Sequence, residues 1–114
     1  MNVIDTLINT LATLKYPVFL QGTYSGEEYP PAFFTYIVND SPDRAHYDDK
    51  ATSWTWDFTV IFYTNDPTLL DTVPEAARAA LKAAEFIPQG KGLNAYSDDP
   101  NFTGWSIDYL FLDK

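Results

Sequence analysis

Residues 54–63 read Trp-Thr-Trp-Asp-Phe-Thr-Val-Ile-Phe-Tyr, and this stretch limits the fold more than any other. Trp54, Trp56, Phe58, Val60 and Phe62 fall on alternate positions, so an extended chain puts them on one face. Thr55, Asp57, Thr59, Ile61 and Tyr63 fall on the other face, and three of these five are polar. The residue types favour strands. The spacing therefore predicts a central strand of an antiparallel sheet, with its aromatic face turned to a core. Thr64-Asn65-Asp66-Pro67 then ends the strand and leads into a helix.

The rest of the chain arranges itself around that strand. Ile4, Leu7, Ile8, Leu11 and Leu14 are spaced for one face of a helix over residues 2–14. Asn2 is placed to cap it, Asp5 sits in its first turn, and Tyr16-Pro17 stops it. Val18–Tyr24 reads as a short strand. Gly22, Gly26, Pro30 and Pro31 mark a loop or hairpin connection to a second strand, Ala32–Asn39. Phe33 and Ile37 share one face of that strand, and Phe34, Tyr36 and Val38 share the other. A strand apolar on both faces belongs in the middle of a sheet or against a partner. Asp66 as cap and Pro67 as first helical residue open a second helix, carrying an apolar stripe from Leu69 through Val73, Ala77 and Leu81 to Ala84. Pro74 lies within the stripe, and Thr72 with Glu75 has capping-box spacing, so the helix is expected to kink or restart there. Gly90 and Gly92 end this unit, and Leu93–Tyr96 reads as an optional short strand. After the turn at 97–101, Trp105, Ile107, Tyr109 and Phe111 share one face of a last strand over Thr103–Leu112. The expected order is α-β-β-β-α-β. This is an α+β, two-layer domain spanning residues 1–114, with a mostly antiparallel sheet of about four strands and two helices on one face.

Charge and composition narrow the function. Seven basic residues against sixteen acidic ones give a formal charge of −9. Phosphate grip depends on Lys and Arg, so sequence-specific nucleic-acid binding and anionic membrane surfaces are both disfavoured. The balance suits a basic partner, or a surface that DNA passes without sticking. There is no Cys, hence no disulfide or thiolate chemistry. The start of the chain lacks the basic residues and unbroken apolar run of a signal peptide, and no run reaches membrane-span length.

No stretch carries a catalytic pattern. His46 is the only histidine and stands in the polar segment 40–50, so a zinc site is not expected. Asp40, Asp43, Asp48 and Asp49 do not follow the spacing of a calcium loop, and Asp98 and Asp99 are turn residues. Ser25 lacks the strand–elbow–helix setting of a hydrolase nucleophile. Asp57 and Asp108 each fall on the polar face of a strand and are the one acid pair an enzyme could use. No cofactor or metal is expected. The aromatic share of 17% is high: either the core is aromatic, or some of the rings serve contact with another chain.

The succession of elements resembles a known family. A first amphipathic helix leads into Lys15-Tyr16-Pro17-Val18-Phe19. A strand Tyr29-Pro30-Pro31-Ala32-Phe33-Phe34-Thr35-Tyr36 and an acidic loop follow. The long strand at 54–63 comes next, then a helix ending Ala77-Arg78-Ala79-Ala80-Leu81-Lys82 and a closing Gly104-Trp105-Ser106-Ile107-Asp108-Tyr109. Over nearly its whole length the chain is similar to the tail terminator, or tail completion, proteins of long-tailed bacteriophages and prophages. The resemblance implies a non-enzymatic structural protein of the virion, assembled in the host cytoplasm. It implies a ring, commonly of six copies, at the head-proximal end of the tail tube. Its partners would be itself, the tail tube protein and the head–tail connector protein.

Within that reading, the segment holding Asp40, Asp43, Arg44, Tyr47, Asp48 and Asp49 is expected to face a partner or the lumen. Phe34, Tyr36 and Tyr63 are the candidates for contact between copies. Two other classes compete. One is a small acidic binding module, or an inhibitor of a basic enzyme such as a nuclease. The other is a different head–tail joining (head completion) protein.

Overall fold

The computed structural model describes residues 3–20, 30–39, 54–95, 97 and 99–113. Five strands form one sheet: β1 (Val18–Leu20), β2 (Ala32–Asn39), β3 (Trp54–Thr64), β4 (Ile87–Ala95) and β5 (Thr103–Asp113), in the order β1-β2-β3-β5-β4. Helix α1 spans Val3–Ala12. A 3-10 turn at Pro67–Asp71 precedes helix α2, Val73–Ala83. The fold is α+β with a mixed sheet and two helices.

The expected strand at 54–63 is the centre of this sheet, pairing antiparallel with β2 on one side and β5 on the other. Its alternation is obeyed: Phe58, Val60 and Phe62 are buried against the helices, and Trp56 packs beside them. Register then sorts the whole sheet into two faces. Phe34 stands opposite Phe62, and Phe62 opposite Trp105, so Phe34, Tyr36, Ile107 and Tyr109 join the helix-covered face. Val3, Leu7 and Leu11 of α1 and Val73, Ala77 and Leu81 of α2 close that core. Tyr16, Phe34 and Phe62 meet edge-on or tilted, with centroids 5.0–6.2 Å apart. Ala77 is the small residue that lets α2 approach the aromatic sheet, as its stripe anticipates.

The break at Pro74 is real: the 3-10 turn ends at Asp71 and α2 starts at Val73. Asp66 caps the turn, accepting from the Thr68 amide at 3.1 Å. Thr72 occupies the cap position of α2 without a side-chain cap bond, so the capping box does not form. Both helices end on left-handed residues that are not glycine, Lys15 (φ 69°) and Glu85 (φ 75°). After Glu85 the Phe86 amide returns to the Leu81 carbonyl at 2.9 Å, and the Phe86 ring enters the core.

Three expectations need correction. The first strand pairs parallel to β2, so no hairpin joins them; parallel neighbours require the chain to return to the same end of the sheet. The sheet has five strands rather than about four, and the order of elements is α-β-β-β-α-β-β. The added strand is β4, where Gly90 and Gly92 do not end the helical unit but sit inside a strand. Pro88 and two glycines make β4 read as a loop, because they are poor strand formers. They form a bulge instead: Gln89 pairs with Asp108 and Leu93 with Ser106, so Gly90, Lys91 and Gly92 stand opposite Ile107 alone. The Trp105 indole donates to the Lys91 carbonyl at 2.9 Å, satisfying a group the bulge leaves out of the ladder.

Candidate functional site

The face of the sheet away from the helices changes character along its length. At one end Phe33, Ile61 and Tyr63 are buried as a second small core, with Phe19, Ala95 and Phe102 packed around them. Phe33 lies 5.4 Å from the Tyr63 ring and 5.9 Å from Phe19, centroid to centroid. Gly104 makes room for this cluster, because a Cβ there would stand 2.9 Å from the Tyr63 ring.

The middle of the face is polar and ordered. Asn39 Nδ2 donates to Asp57 Oδ1 at 3.3 Å and to Thr59 Oγ1 at 2.8 Å. Thr59 Oγ1 in turn donates to Asp108 Oδ1 at 2.8 Å. Asp57 and Asp108, the acid pair singled out in the sequence, are thus brought into one hydrogen-bonded row across β2, β3 and β5. Each carboxylate has its position set by a neighbour before any partner arrives. The far end is apolar again but open, with Leu112 49% and Ile87 45% exposed; Leu93, 67% exposed, stands on the edge strand opposite Ser106, level with Ile61 of the small core. Ile87 pairs with Leu110, so Ile87, Leu110 and Leu112 make one apolar strip bordered by Asp57 and Asp108.

On the helix side a groove of about 680 Å³ runs between α2 and the β4–β5 pair. Arg78 lines it from α2, Lys91 from the bulge, and Trp105 and Ile107 from β5. Arg78 Nη1 is 3.8 Å from Glu75 Oε1, a long contact to a largely exposed acid, and the Arg78 Nε is buried without a hydrogen-bond partner. Beside it, burial pushes the Tyr109 hydroxyl well above its ordinary range, and the Arg78 guanidinium pulls partly the other way.

The expected contact residues separate. Phe34 and Tyr36 are 1% and 9% exposed within the helix-side core, and Tyr63 is 8% exposed in the opposite cluster. As side chains they have almost no surface to offer a second copy; alternation shows that Phe34 and Tyr36 share a face, but not that this face is the one the helices cover. Asp40, Asp43, Arg44, Tyr47, Asp48 and Asp49 lie outside the described residues. The surfaces that sequence reasoning missed are the Ile87–Leu110–Leu112 strip and the Arg78–Lys91 groove. Both depend on β4, whose strand character the sequence hides. Among the described residues no three His, Cys, Asp or Glu gather as a metal site, and no helix is long and apolar enough to cross a membrane.

No known family model matches the chain, and no curated protein matches it significantly.

Proposed function

We propose that the chain is a ring-forming structural protein of a long-tailed bacteriophage or prophage. It caps the head-proximal end of the tail tube, ends tube polymerisation and presents a surface to the head connector. The supporting observation is the placement of exposed apolar side chains. Ile87, Leu93 and Leu112 are open on one face of the sheet, at the β4–β5 edge. Leu20 and Val38 are open on the other face, at the β1–β2 edge. The open apolar surface is thus divided between both faces and opposite edges of the sheet: a patch that meets itself gives a two-fold dimer, whereas one face meeting a different face gives a head-to-tail repeat, which forms a ring where its rotation closes. The excess of acid also suits a lumen through which DNA slides.

The function is mechanical and uses binding alone: one side of the ring seats on the last tube subunits, and the other refuses a further tube layer. The test is assembly of the tube protein encoded with this chain, in its presence and absence. Capped tubes of limited length are expected when the chain is added. Tubes that keep growing at saturating amounts of the chain would overturn the proposal.

One observation favours a second reading. The fixed, solvent-facing acids Asp57 and Asp108 would also suit a cover for a basic protein. A one-to-one complex with a basic partner encoded next to this chain, and no effect on tubes, would select that reading.

A further inference from the structure

Two surfaces on opposite sides of the sheet complement each other in charge and in apolar character. The open face presents Asp57 and Asp108, held in a row by Asn39 and Thr59, beside the Ile87–Leu110–Leu112 strip. Among the described residues neither carboxylate has a cationic partner. The helix-side groove presents Arg78 and Lys91. Only seven Lys and Arg occur in the chain. Four of them, Lys15, Arg78, Lys82 and Lys91, are described, and two of these four line this one groove. Arg78 is under-coordinated, with one buried nitrogen unpartnered and one long contact to Glu75. Glu75 and Asp71 also line the groove, so it is not a general anion trap. It suits carboxylates delivered together with an apolar surface, which Pro67, Leu70 and Trp105 can meet.

We propose that the open face of one copy docks on the helix-side groove of the next, Asp57 and Asp108 facing Arg78 and Lys91. The contact rests on the ring reading above and names its surfaces. Acid face against acid face repels, and groove against groove gains nothing because Asp71 and Glu75 balance Arg78 and Lys91, so charge favours the head-to-tail pairing. The other exposed apolar pair on the helix side, Leu20 and Val38, belongs to strands that carry no Lys or Arg and offers the acids nothing. Because donor and acceptor surfaces differ, a docked pair leaves one of each kind free, and repetition builds a head-to-tail array that closes into a ring where its rotation returns to the first copy. The bulge in β4 is what delivers Lys91 to this groove.

A charge exchange tests the contact. One variant carries Arg78→Glu and Lys91→Glu; the second carries Asp57→Lys and Asp108→Lys. Sedimentation velocity over a concentration series is run on the wild type, on each variant and on their equal mixture, with circular dichroism to confirm folding. Each variant alone should associate at least about tenfold more weakly than the wild type, because its two surfaces then carry like charge. The mixture should recover association, since every contact between unlike variants pairs opposite charges. Lys91→Glu alone, at an exposed bulge position, gives the same test if the double variant at Arg78 does not fold. It should weaken association and be rescued by Asp108→Lys. Variants that form rings like the wild type, or a folded mixture that stays monomeric, overturn this contact and leave the ring reading standing. A wild type that stays monomeric throughout overturns both.

Discussion

The two faces of the sheet are built from the same three long strands and reach opposite ends. On the helix side Trp56, Phe58, Val60 and Phe62 of β3 enter one continuous core, and α1 and α2 seal it. On the other side the same strand passes from Tyr63 and Ile61 in a small aromatic cluster, through Thr59 and Asp57 in a hydrogen-bonded polar row, to a margin of open leucine and isoleucine. Along β3, the helix-side row is finished within the protomer. The other is finished only at one end, and its polar and apolar parts are laid out as a surface. A strand that alternates cleanly thus supplies stability from one set of residues and contact surface from the other.

Substitutions that separate the two faces should differ in size and in kind. The largest effect is expected at the sealed core. Phe58→Ala removes a fully buried ring packed on Trp56 and Phe86, and should lower unfolding free energy by about 3–5 kcal/mol in denaturant titration. Next comes the bulge. A Cβ at Gly92 would stand 2.5 Å from Trp105 Nε1 and 2.6 Å from the Ser106 carbonyl, on a residue with φ +95°. Gly92→Ala should cost about 2–3 kcal/mol, while Gly90→Ala, with φ +85° and open space around it, should cost only about 1 kcal/mol. Equal losses at the two glycines would show that the Trp105 contact contributes nothing.

Smaller effects probe the open side. Thr35 lies on that face opposite Ile61, and its hydroxyl is buried without a hydrogen-bond partner. Thr35→Val keeps the shape and removes the unpaired group, so thermal melts should show a gain of about 1 kcal/mol. A loss instead would reveal a partner for that hydroxyl in the folded protein. The smallest change in stability is expected at the margin, where Leu112→Gln should stay within about 0.5 kcal/mol of the parent. The same change should weaken self-association measured by sedimentation, which is how a contact residue differs from a core residue.

Much of this was legible in the sequence where the local signal is periodic. The alternation at 54–63, the stripe of α1, the stop at Asp66-Pro67 and the restart around Pro74 each have a local cause, and each appears in the fold. What the sequence hides is relational. That Phe34 and Tyr36 face the helices depends on pairing with Phe62 and Val60, which no spacing within β2 records. That Val18–Leu20 runs parallel to β2 depends on where the chain returns. β4 is hidden for a different reason: Pro88, Gly90 and Gly92 oppose strand propensity, and the strand exists because β5 offers it a ladder. The Asp57–Asp108 relation lies between these cases. Alternation puts both acids on solvent-facing positions, but only register shows Asn39 and Thr59 joining them.

The most direct test is light scattering across a concentration series, with electron microscopy of the most concentrated sample. Two unlike surfaces on one protomer predict closed rings with a central hole, whose population rises with concentration. A compact dimer at every concentration would contradict the account, because it would mean that one surface meets its own copy.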